Sequence, residues 1–486
     1  MSETTSSPEA SALSLPEKPH EESHANHGSA HAAGRKSGMI EGIPGLQPIY
    51  EDYARCVHCG LCLNHCPTYR LWHLEADSPR GRIFQMIRVK DGEAPVNATF
   101  VEHIDKCLDC RACETACPSG VEYGKLVEFA RARIATEYKR PFLSRVARNL
   151  AYRWLLPRPA RIAFFARLLR FYQKSGLQTL ARKTGALKMM GLAEREALLP
   201  RVDDEFFFPR LGKTFPAAGE TRARVAFFGG CVAQVTFAEL NEATIRVLTA
   251  NGCEVTVPQQ QVCCGALMAH AGDREAARVV ARQNLRAFGG DEFDTILTNA
   301  AGCGSTLKEY SHLFSPGEPE YETATEFESR VRDVTEFLNA LGVVAPMKDF
   351  ASRVTYQDSC HLLHGQKVRE APRKLLKAVP GLEFVELPYS EICCGSAGVY
   401  NVTETEASLE LLADKMKNAA GTGAEFIVTA NPGCLLQMRA GAQLHKTGQK
   451  VLHVMELLDR VTGTGTEECD RSDRRQALDE STSAHR

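Results

Sequence analysis

Downstream of residue 220, the chain alternates between short apolar runs and longer amphipathic segments. Four runs are rich in apolar and β-branched residues, and each predicts a buried strand: 224–228, 294–298, 353–356 and 425–429. Segments with a helical period of apolar residues lie between them, for example 275–288 and 404–418. Strands that alternate with helices predict two α/β lobes, each built on a short and mostly parallel sheet.

Cysteine positions indicate that the second lobe repeats the first. Three landmarks recur at offsets of 129, 130 and 131 residues: Cys231 with Cys360, Cys263-Cys264 with Cys393-Cys394, and Cys303 with Cys434. Several of these cysteines follow predicted strands, and parallel α/β sheets bind ligands at the carboxyl ends of their strands. We therefore expect four cysteines to converge in each lobe and to form a possible further metal site: Cys231, Cys263, Cys264 and Cys303 in one, and Cys360, Cys393, Cys394 and Cys434 in the other.

A basic and aromatic stretch precedes the lobes. Between Tyr138 and Leu192 there are thirteen Lys and Arg residues and no Asp or Glu, in a pattern typical of helices. The most apolar piece, 162–166, lies between Arg161 and Arg167, so no segment is expected to span a bilayer. Two interpretations stay open. The helices lie on an anionic membrane surface, or they pack between domains and offer their charge to a partner subunit.

Composition narrows the class of protein. A chain of 486 residues predicts two or three domains, and a net charge of −2 gives no reason to expect a nucleic-acid partner. The first twenty residues are acidic and Ser-rich without an apolar core, which argues against a secretory signal. Eighteen cysteines kept reduced then indicate the cytoplasm.

Two tandem cysteine runs carry the main chemical signal. Each run has the spacing Cys-x-x-Cys-x-x-Cys-x-x-x-Cys-Pro: Cys56, Cys59, Cys62, Cys66 and Pro67, then Cys107, Cys110, Cys113, Cys117 and Pro118. This spacing is typical of a ferredoxin-like unit with two [4Fe-4S] clusters, in which the fourth cysteine of each run binds the other cluster. The predicted ligand sets are therefore crossed, with one cluster on Cys56, Cys59, Cys62 and Cys117 and the second on Cys107, Cys110, Cys113 and Cys66.

Two structural explanations of these runs, a zinc site and a disulfide framework, fit less well. Structural zinc sites use cysteines in two pairs and not in runs of four that end in proline. A disulfide framework is typical of short secreted chains and not of a chain of this length without a secretory signal. The tandem runs therefore favour an electron carrier.

The same patterns predict the domain limits. We expect a disordered extension over 1–40, the ferredoxin-like domain over 41–137, a basic helical linker over 138–220, lobes over 221–345 and 346–461, and a disordered tail over 462–486. Within the ferredoxin-like domain, Ser78 before Pro79 predicts the start of a helix, because the hydroxyl can cap it and proline suits its first turn.

The lobes resemble the cysteine-rich CCG domain, which occurs in pairs in heterodisulfide reductase and related redox subunits. In that family, five cysteines hold unusual iron-sulfur clusters, and the fuller motif ends in Cys-x-x-Cys. Here the corresponding segments read Cys303-Gly-Ser-Thr306 and Cys434-Leu-Leu-Gln437. A four-cysteine cluster, a zinc site and a reduced vestigial site all stay open. Three histidines lie near these motifs: His270, His361 and His364. Each is a candidate donor to a cluster sulfur or to a substrate, or has a role at a helix start or in the core. Cys253 is interpreted as a core residue.

Longer phrases resemble the iron-sulfur subunits of bacterial glycolate oxidases over about residues 45 to 460. The phrases that carry the resemblance are Cys66-Pro-Thr-Tyr69, Ser78-Pro-Arg-Gly-Arg82, Cys263-Cys-Gly-Ala-Leu267, Asn299-Ala-Ala-Gly-Cys-Gly-Ser305 and Cys393-Cys-Gly-Ser-Ala-Gly398. The resemblance implies a complex in which an FAD-bearing partner oxidises glycolate, or a related 2-hydroxy acid, and this chain carries electrons towards the quinone pool. It also implies a peripheral location at the inner face of the cytoplasmic membrane.

This chain has no catalytic residue of its own in that interpretation. No Gly-x-Gly-x-x-Gly motif opens a βαβ unit, so FAD and substrate are expected on the partner and the chain alone is expected to be inactive. Two redox alternatives remain: a subunit for lactate utilisation or glycerol-3-phosphate oxidation, and a thiol/disulfide subunit like heterodisulfide reductase.

Overall fold

The structure is a computed structural model, and it describes residues 42–463 apart from residues 194, 195, 197, 198 and 291. The predicted disordered extension over 1–40 and residues 464–486 of the predicted tail lie outside the described residues. The last helix, Val454–Thr462, includes the first residue of that predicted tail.

The ferredoxin-like domain is built from helices among its described residues. They are Tyr50–Ala54, Pro67–Trp72, Pro79–Lys90, Ala98–Asp105, Ala112–Thr115 and Tyr123–Glu137, with 3-10 turns at Leu63–His65 and Glu75–Asp77. The predicted helix start is confirmed, because the Ser78 hydroxyl accepts a hydrogen bond from the Gly81 amide at 3.0 Å. Ile104, Leu126 and Ile134 are fully buried and form the centre of a small core.

The basic linker is helical, as its pattern predicts. Its helices are Phe142–Arg148, Pro159–Lys174, Leu177–Lys183 and Ala186–Met189, with a π-helical turn at Asn149–Leu155. One side packs into the core of the first lobe through Tyr152, Leu156, Ile162 and Ala166. The other side is exposed. None of the described helices is long and apolar enough to cross a membrane.

Each lobe contains a parallel sheet. The first has strands β1 (Thr214–Phe215), β2 (Ala223–Phe227), β3 (Cys253–Thr256), β4 (Thr295–Thr298) and β5 (Val331–Asp333), in the order β1-β3-β2-β4-β5, with β1 antiparallel. The second has β6 (Arg353–Gln357), β7 (Glu383–Glu386), β8 (Phe426–Thr429) and β9 (Lys450–His453), in the order β7-β6-β8-β9. Without β1 the two orders are the same, so the predicted α/β repeat is confirmed.

Helices cover both sheets and join the lobes into one core. They are Ala233–Thr236, Ala238–Ala250, Ala266–His270, Arg274–Ala287, Ala301–Leu307, Pro319–Arg330 and Val334–Leu341, then Glu370–Lys377, Tyr400–Thr403, Thr405–Gly421 and Pro432–Leu444. Buried side chains of both lobes, such as Leu248 and Met455, belong to the same hydrophobic cluster. The buried His453 ring also hydrogen-bonds the Asn299 carbonyl across the boundary at 3.0 Å.

The ferredoxin-like domain packs closely on the first lobe at one glycine. Gly272 has φ +81°, and a Cβ atom there would lie 2.3 Å from the Arg131 carbonyl oxygen. Only glycine suits both the left-handed backbone and this approach. In the same contact, Arg131 donates a hydrogen bond to the His270 carbonyl at 3.0 Å.

Candidate metal centres

The two cysteine runs fold into loops with the same backbone turns. The second residue after the first cysteine is left-handed in both, with φ 55° at His58 and 53° at Asp109. The residue after the second cysteine is also left-handed, with φ 83° at Gly60 and 61° at Arg111. A left-handed residue other than glycine costs roughly 1–2 kcal/mol. Strain repeated at matched positions is typical of a functional loop that wraps a ligand.

One small cavity brings the fourth cysteine of the first run together with three cysteines of the second. Its lining includes Cys66, Cys107, Cys110 and Cys113, which are all buried. Cys66 reaches this cavity because Pro67 begins a new helix directly after it and turns the chain. The structure therefore places one predicted crossed set of four thiols around a single cavity.

The other predicted set lies closer to the surface. Cys59 is exposed, whereas Cys56, Cys62 and Cys117 are half-buried. Burial, followed by the charges of Cys117 and Cys59, raises the pKa of Cys56. Burial likewise raises the pKa of Cys62 to about 11. Cys117 of the second run is thus a close neighbour of the first run.

Polar groups surround the buried set. The Asp109 amide donates to Cys107 Sγ at 3.4 Å, and the Tyr123 hydroxyl donates to the same sulfur at 3.6 Å. Burial raises the pKa of both Cys110 and Cys113 well above the ordinary value. Four thiolates buried together are unfavourable unless a positive centre shares their cavity, and sulfur-bound iron meets that requirement.

Arg82 places a permanent positive charge against the same cavity. Its side chain is 1% exposed, lines the cavity, and donates to the His103 carbonyl at 2.7 Å and to Thr68 Oγ1 at 3.0 Å. It also pairs with the buried Asp77 carboxylate at 3.2 Å. A cluster with four thiolate ligands carries net negative charge, so the donor set and this neighbour both fit a [4Fe-4S] group. Sequence analysis missed Arg82 as a site residue, although the phrase from Ser78 to Arg82 contains it.

The predicted grouping of cysteines in the first lobe is present in the structure. The thiols lie close enough to affect one another in succession, Cys231 with Cys263, Cys263 with Cys264, and Cys264 with Cys303. The φ of Gly265, the residue after the pair, is +89°, so a glycine is required to turn the loop at this point.

The second lobe forms the same chain of four thiols. Cys360 and Cys394 both lie beside Cys393, and Cys394 also lies beside Cys434. The neighbouring thiols of Cys360 and Cys394 lower the pKa of Cys393 well below the ordinary value. Asn431 also donates to Cys434 Sγ at 3.5 Å.

The three histidines join the lobes to the second cysteine loop. His361 Nε2 lies 3.0 Å from the Asp109 carbonyl oxygen, and His364 Nδ1 lies 2.8 Å from Thr115 Oγ1. His270 Nδ1 lies 2.9 Å from Glu128. Their described partners are thus oxygen atoms of neighbouring elements, in keeping with the core interpretation. Cys253 is fully buried within β3, as its interpretation as a core residue requires.

A buried ion network lies beside this loop. Arg111 pairs with Glu309 of the first lobe and, at 3.3 Å, with Glu128. Burial lowers the pKa of His270, but the carboxylates of Asp109 at 3.2 Å and Glu128 at 2.9 Å outweigh it and raise that pKa to about 9. The imidazolium form therefore links the carboxylates at neutral pH, and the network fixes the loop to the lobe.

Comparison with protein families assigns each part of the chain. The 4Fe-4S dicluster domain family matches residues 52–121, which contain both cysteine runs. The cysteine-rich domain family matches twice, at 225–308 and 354–439. The linker region of the glycolate oxidase iron-sulfur subunit matches residues 143–199.

Whole-chain relatives agree with this order of domains. The probable glycolate oxidase iron-sulfur subunit of Bacillus subtilis is 41% identical over 425 residues, which cover 85% of this chain and 95% of the relative. The chain belongs to the glycolate oxidase iron-sulfur subunit family. The glycolate oxidase iron-sulfur subunit of Escherichia coli is 32% identical over 84% of this chain and 93% of its own length.

The glycolate oxidase iron-sulfur subunit family accounts for the combination of parts seen here. A smaller relative matches fewer of them. Lactate utilization protein A of Oceanobacillus iheyensis is 35% identical over 240 residues, which are 49% of this chain and 96% of that protein. The match to the family therefore extends over parts of the chain that this smaller relative lacks, and includes the family's own linker.

Proposed function

We propose that this chain is the electron-transfer subunit of a glycolate oxidase complex, with two [4Fe-4S] clusters on its eight ferredoxin-type cysteines. The observation that carries the proposal is the buried cavity shared by Cys66 and the second cysteine run. It gives four sulfur donors from two separate runs, as a crossed dicluster requires. The choice of glycolate oxidation as the reaction of the complex rests on membership of the family.

The chain's own residues hold and insulate the cofactors. When bound, a [4Fe-4S] cluster supplies one-electron transfer. A reduced flavin, which holds two electrons, can then be reoxidised in two single-electron steps. Tyr123 and the Asp109 amide donate hydrogen bonds to Cys107, Arg82 offsets negative charge, and the surrounding core excludes water from the buried set. These contacts favour a stable negative centre in the cavity.

We place the FAD-bearing partner against the exposed cysteine set. Cys59 is exposed, and the apolar side chains Val57 and Leu61 on the same loop are 67% and 59% exposed. Docking a partner there would bury this apolar surface and bring a flavin close to the more accessible ligand set. The other cluster lies deeper in the chain and would receive electrons second.

The exposed side of the linker supports a peripheral position at the inner face of the cytoplasmic membrane, close to the quinone pool. On the helix Pro159–Lys174, Phe164, Leu168 and Phe171 are each more than half exposed. The basic residues of the linker have no acidic neighbours in sequence between Tyr138 and Leu192. Apolar anchors among cationic residues fit an anionic lipid surface, because the rings enter the interface while the charges attract the headgroups.

Vesicle binding tests this location. The double variant Phe164→Ser, Phe171→Ser should bind vesicles of mixed phosphatidylglycerol and phosphatidylethanolamine at least tenfold more weakly, because burying one such side chain is worth roughly 1.5–3 kcal/mol. Co-sedimentation of the full chain measures the change, and salt should weaken binding of the parent chain. Phe84→Ser is the control, since Phe84 is 54% exposed but lies on the ferredoxin-like domain. Equal binding by both variants would favour a partner subunit on the linker.

Dye reduction tests the function itself. The chain purified anaerobically together with its FAD-bearing partner should reduce an artificial acceptor with glycolate, and the chain alone should not. The flavoprotein alone should transfer electrons to a quinone analogue much more slowly, because the clusters that would accept electrons from its reduced flavin are missing. Reduction with lactate or glycerol-3-phosphate, but not with glycolate, would contradict the proposal and support the corresponding alternative.

Two alternatives are less favoured by the observations. The lactate-utilisation relative matches half of this chain. A thiol/disulfide role like that of heterodisulfide reductase would call for the five-cysteine motif, but both lobes here have four cysteines in that motif.

A further inference from the structure

A basic cleft lies where the linker meets the ferredoxin-like domain and the first lobe. It has a volume of about 360 Å³ and is open to solvent. The basic side chains that line it are Lys139, Arg140, Arg145, Arg148, Arg153 and Arg274. Its acidic lining residues are Asp273 and Glu275. Positive charge is therefore in excess, in a space large enough for a small anionic group.

The carboxylates at the cleft are already paired. Asp273 accepts two hydrogen bonds from Arg153, at 2.8 and 3.0 Å. Asp105 binds Arg140 in the same bidentate way, at 2.6 and 3.0 Å. Glu275 lies 3.6 Å from an arginine further along its own helix. These pairs leave the other cations of the cleft without a carboxylate partner there.

Three of those cations pair with none of the described carboxylates: Lys139, Arg145 and Arg148. Arg148 is half-buried, and its described partners are the Ala271 carbonyl and the Tyr152 ring, 5.4 Å away. Burial lowers the pKa of Arg148, and the charge of Arg140 lowers it further. A guanidinium that is both partly buried and repelled by another is unfavourable until an anion joins them.

Arg274 adds a further buried charge from the first lobe. Its guanidinium donates to the Pro44 carbonyl at 2.8 Å and to the His312 carbonyl. Neutral carbonyls satisfy its donors without neutralising its charge. The cations of the cleft thus come from three parts of the chain: the end of the ferredoxin-like domain, the linker and the first lobe.

This arrangement fits a phosphate group better than a carboxylate. A carboxylate presents two oxygens in one plane, which a single guanidinium fork can satisfy. A phosphate group presents oxygens in several directions and can accept hydrogen bonds from several basic groups at once. Basic side chains from separate elements are therefore typical of phosphate recognition.

The helix Phe142–Arg148 adds an apolar surface beside its two cleft arginines. Phe142 is 66% exposed and Leu143 is 79% exposed, and Val146 is nearly half exposed. A free phosphate would leave these side chains in water, whereas the acyl chains of a phospholipid would cover them. The neighbouring charges and apolar side chains thus favour a lipid as the source of the phosphate.

We propose that this cleft binds the phosphate group of an anionic phospholipid, with Arg145 and Arg148 among the residues that hold it. The choice of a lipid rests on the proposed position at the membrane. The phosphate site itself depends neither on that position nor on the iron-sulfur clusters.

Calorimetric titration of the full chain, purified anaerobically, tests the cleft. The probe is dihexanoyl phosphatidylglycerol kept below its micelle concentration, so that no membrane surface is present. We expect one lipid per chain, bound at least tenfold more tightly than inorganic phosphate, because phosphate has no acyl chains to bury. Arg148→Gln should weaken lipid binding at least tenfold, as expected when a hydrogen bond to a charged group is lost.

Arg158→Gln is the matched control. Arg158 is an exposed arginine of the linker that does not line the cleft, so its loss removes the same charge and should change the affinity by less than about twofold. Should Arg148→Gln fail to fold, the exposed Arg145 provides a second variant, Arg145→Gln, with the same expected direction.

Three results would overturn the proposal. Equal weakening by Arg148→Gln and Arg158→Gln would show that diffuse charge, and not the cleft, attracts the lipid. Failure of the parent chain to bind either probe would exclude the site, and phosphate bound as tightly as the lipid would exclude a lipid as its source. The double variant Phe164→Ser, Phe171→Ser should keep its calorimetric affinity, because neither ring lines the cleft. Its behaviour on vesicles therefore tests the proposed membrane face separately.

Discussion

Replacing Cys66 with serine should remove the cluster of the second cysteine run and leave that of the first. Cys66 belongs to the first run in sequence, but it lines the cavity of Cys107, Cys110 and Cys113. We expect about four iron atoms to be lost, and the lost EPR signal should be the one that Cys107→Ser also removes. The loss of that one cluster should be complete, because a [4Fe-4S] cluster is held by four cysteine thiolates and the substitution removes one of them.

The reciprocal variant completes the test. Cys117→Ser should remove the same signal as Cys56→Ser, since Cys117 is a neighbour of Cys56 in the structure. Cys253→Ser is the control, because Cys253 lies in the strand β3 of the first lobe and should keep all of the iron. If Cys66→Ser and Cys56→Ser removed the same signal, the ligand sets would not be crossed.

Replacing Arg82 with leucine should destabilise the ferredoxin-like domain by about 3–5 kcal/mol, as expected when one partner of a buried ion pair is removed. Asp77, which is 1% exposed, would lose its guanidinium partner, and the cavity would lose its compensating charge. Bleaching of the iron-sulfur absorbance near ~400 nm in urea reports the change, because cluster release accompanies unfolding of this domain.

Arg88→Leu provides the comparison on the same helix. Arg88 pairs with Glu93 at 2.9 Å, but both side chains are nearly half exposed, so its loss should cost about 0–1 kcal/mol. Equal urea midpoints for the two variants would show that Arg82 contributes no more than a surface charge.

Much of the architecture follows from local sequence signals. The apolar runs at 224–228 and 425–429 correspond to β2 and β8 within a residue or two. The repeat predicted from the cysteine offsets is seen in the strand order, which is the same in both lobes apart from β1. Strand period, turn residues and cysteine spacing are short-range properties, so one sequence suffices to detect them. Ser78 likewise caps the helix at the predicted residue.

The contacts between domains could not be predicted in this way. Arg111 and Glu309 are 198 residues apart, and no local pattern indicates that they pair. Lys415 lies in an ordinary helical pattern, but it is buried and donates a hydrogen bond to the Tyr389 carbonyl, 26 residues away in sequence.

The buried ion network around Arg111, Asp109 and His270 also limits the movement of the second cysteine loop relative to the lobes. Some carriers swing a tethered domain between donor and acceptor, which makes their turnover sensitive to solvent viscosity. Here the second cysteine loop is held by both lobes, through Glu309 on one side and His361 on the other. We therefore expect electrons to cross the chain over fixed distances without domain movement, so that only the docking and release of its partners should slow down in a viscous medium.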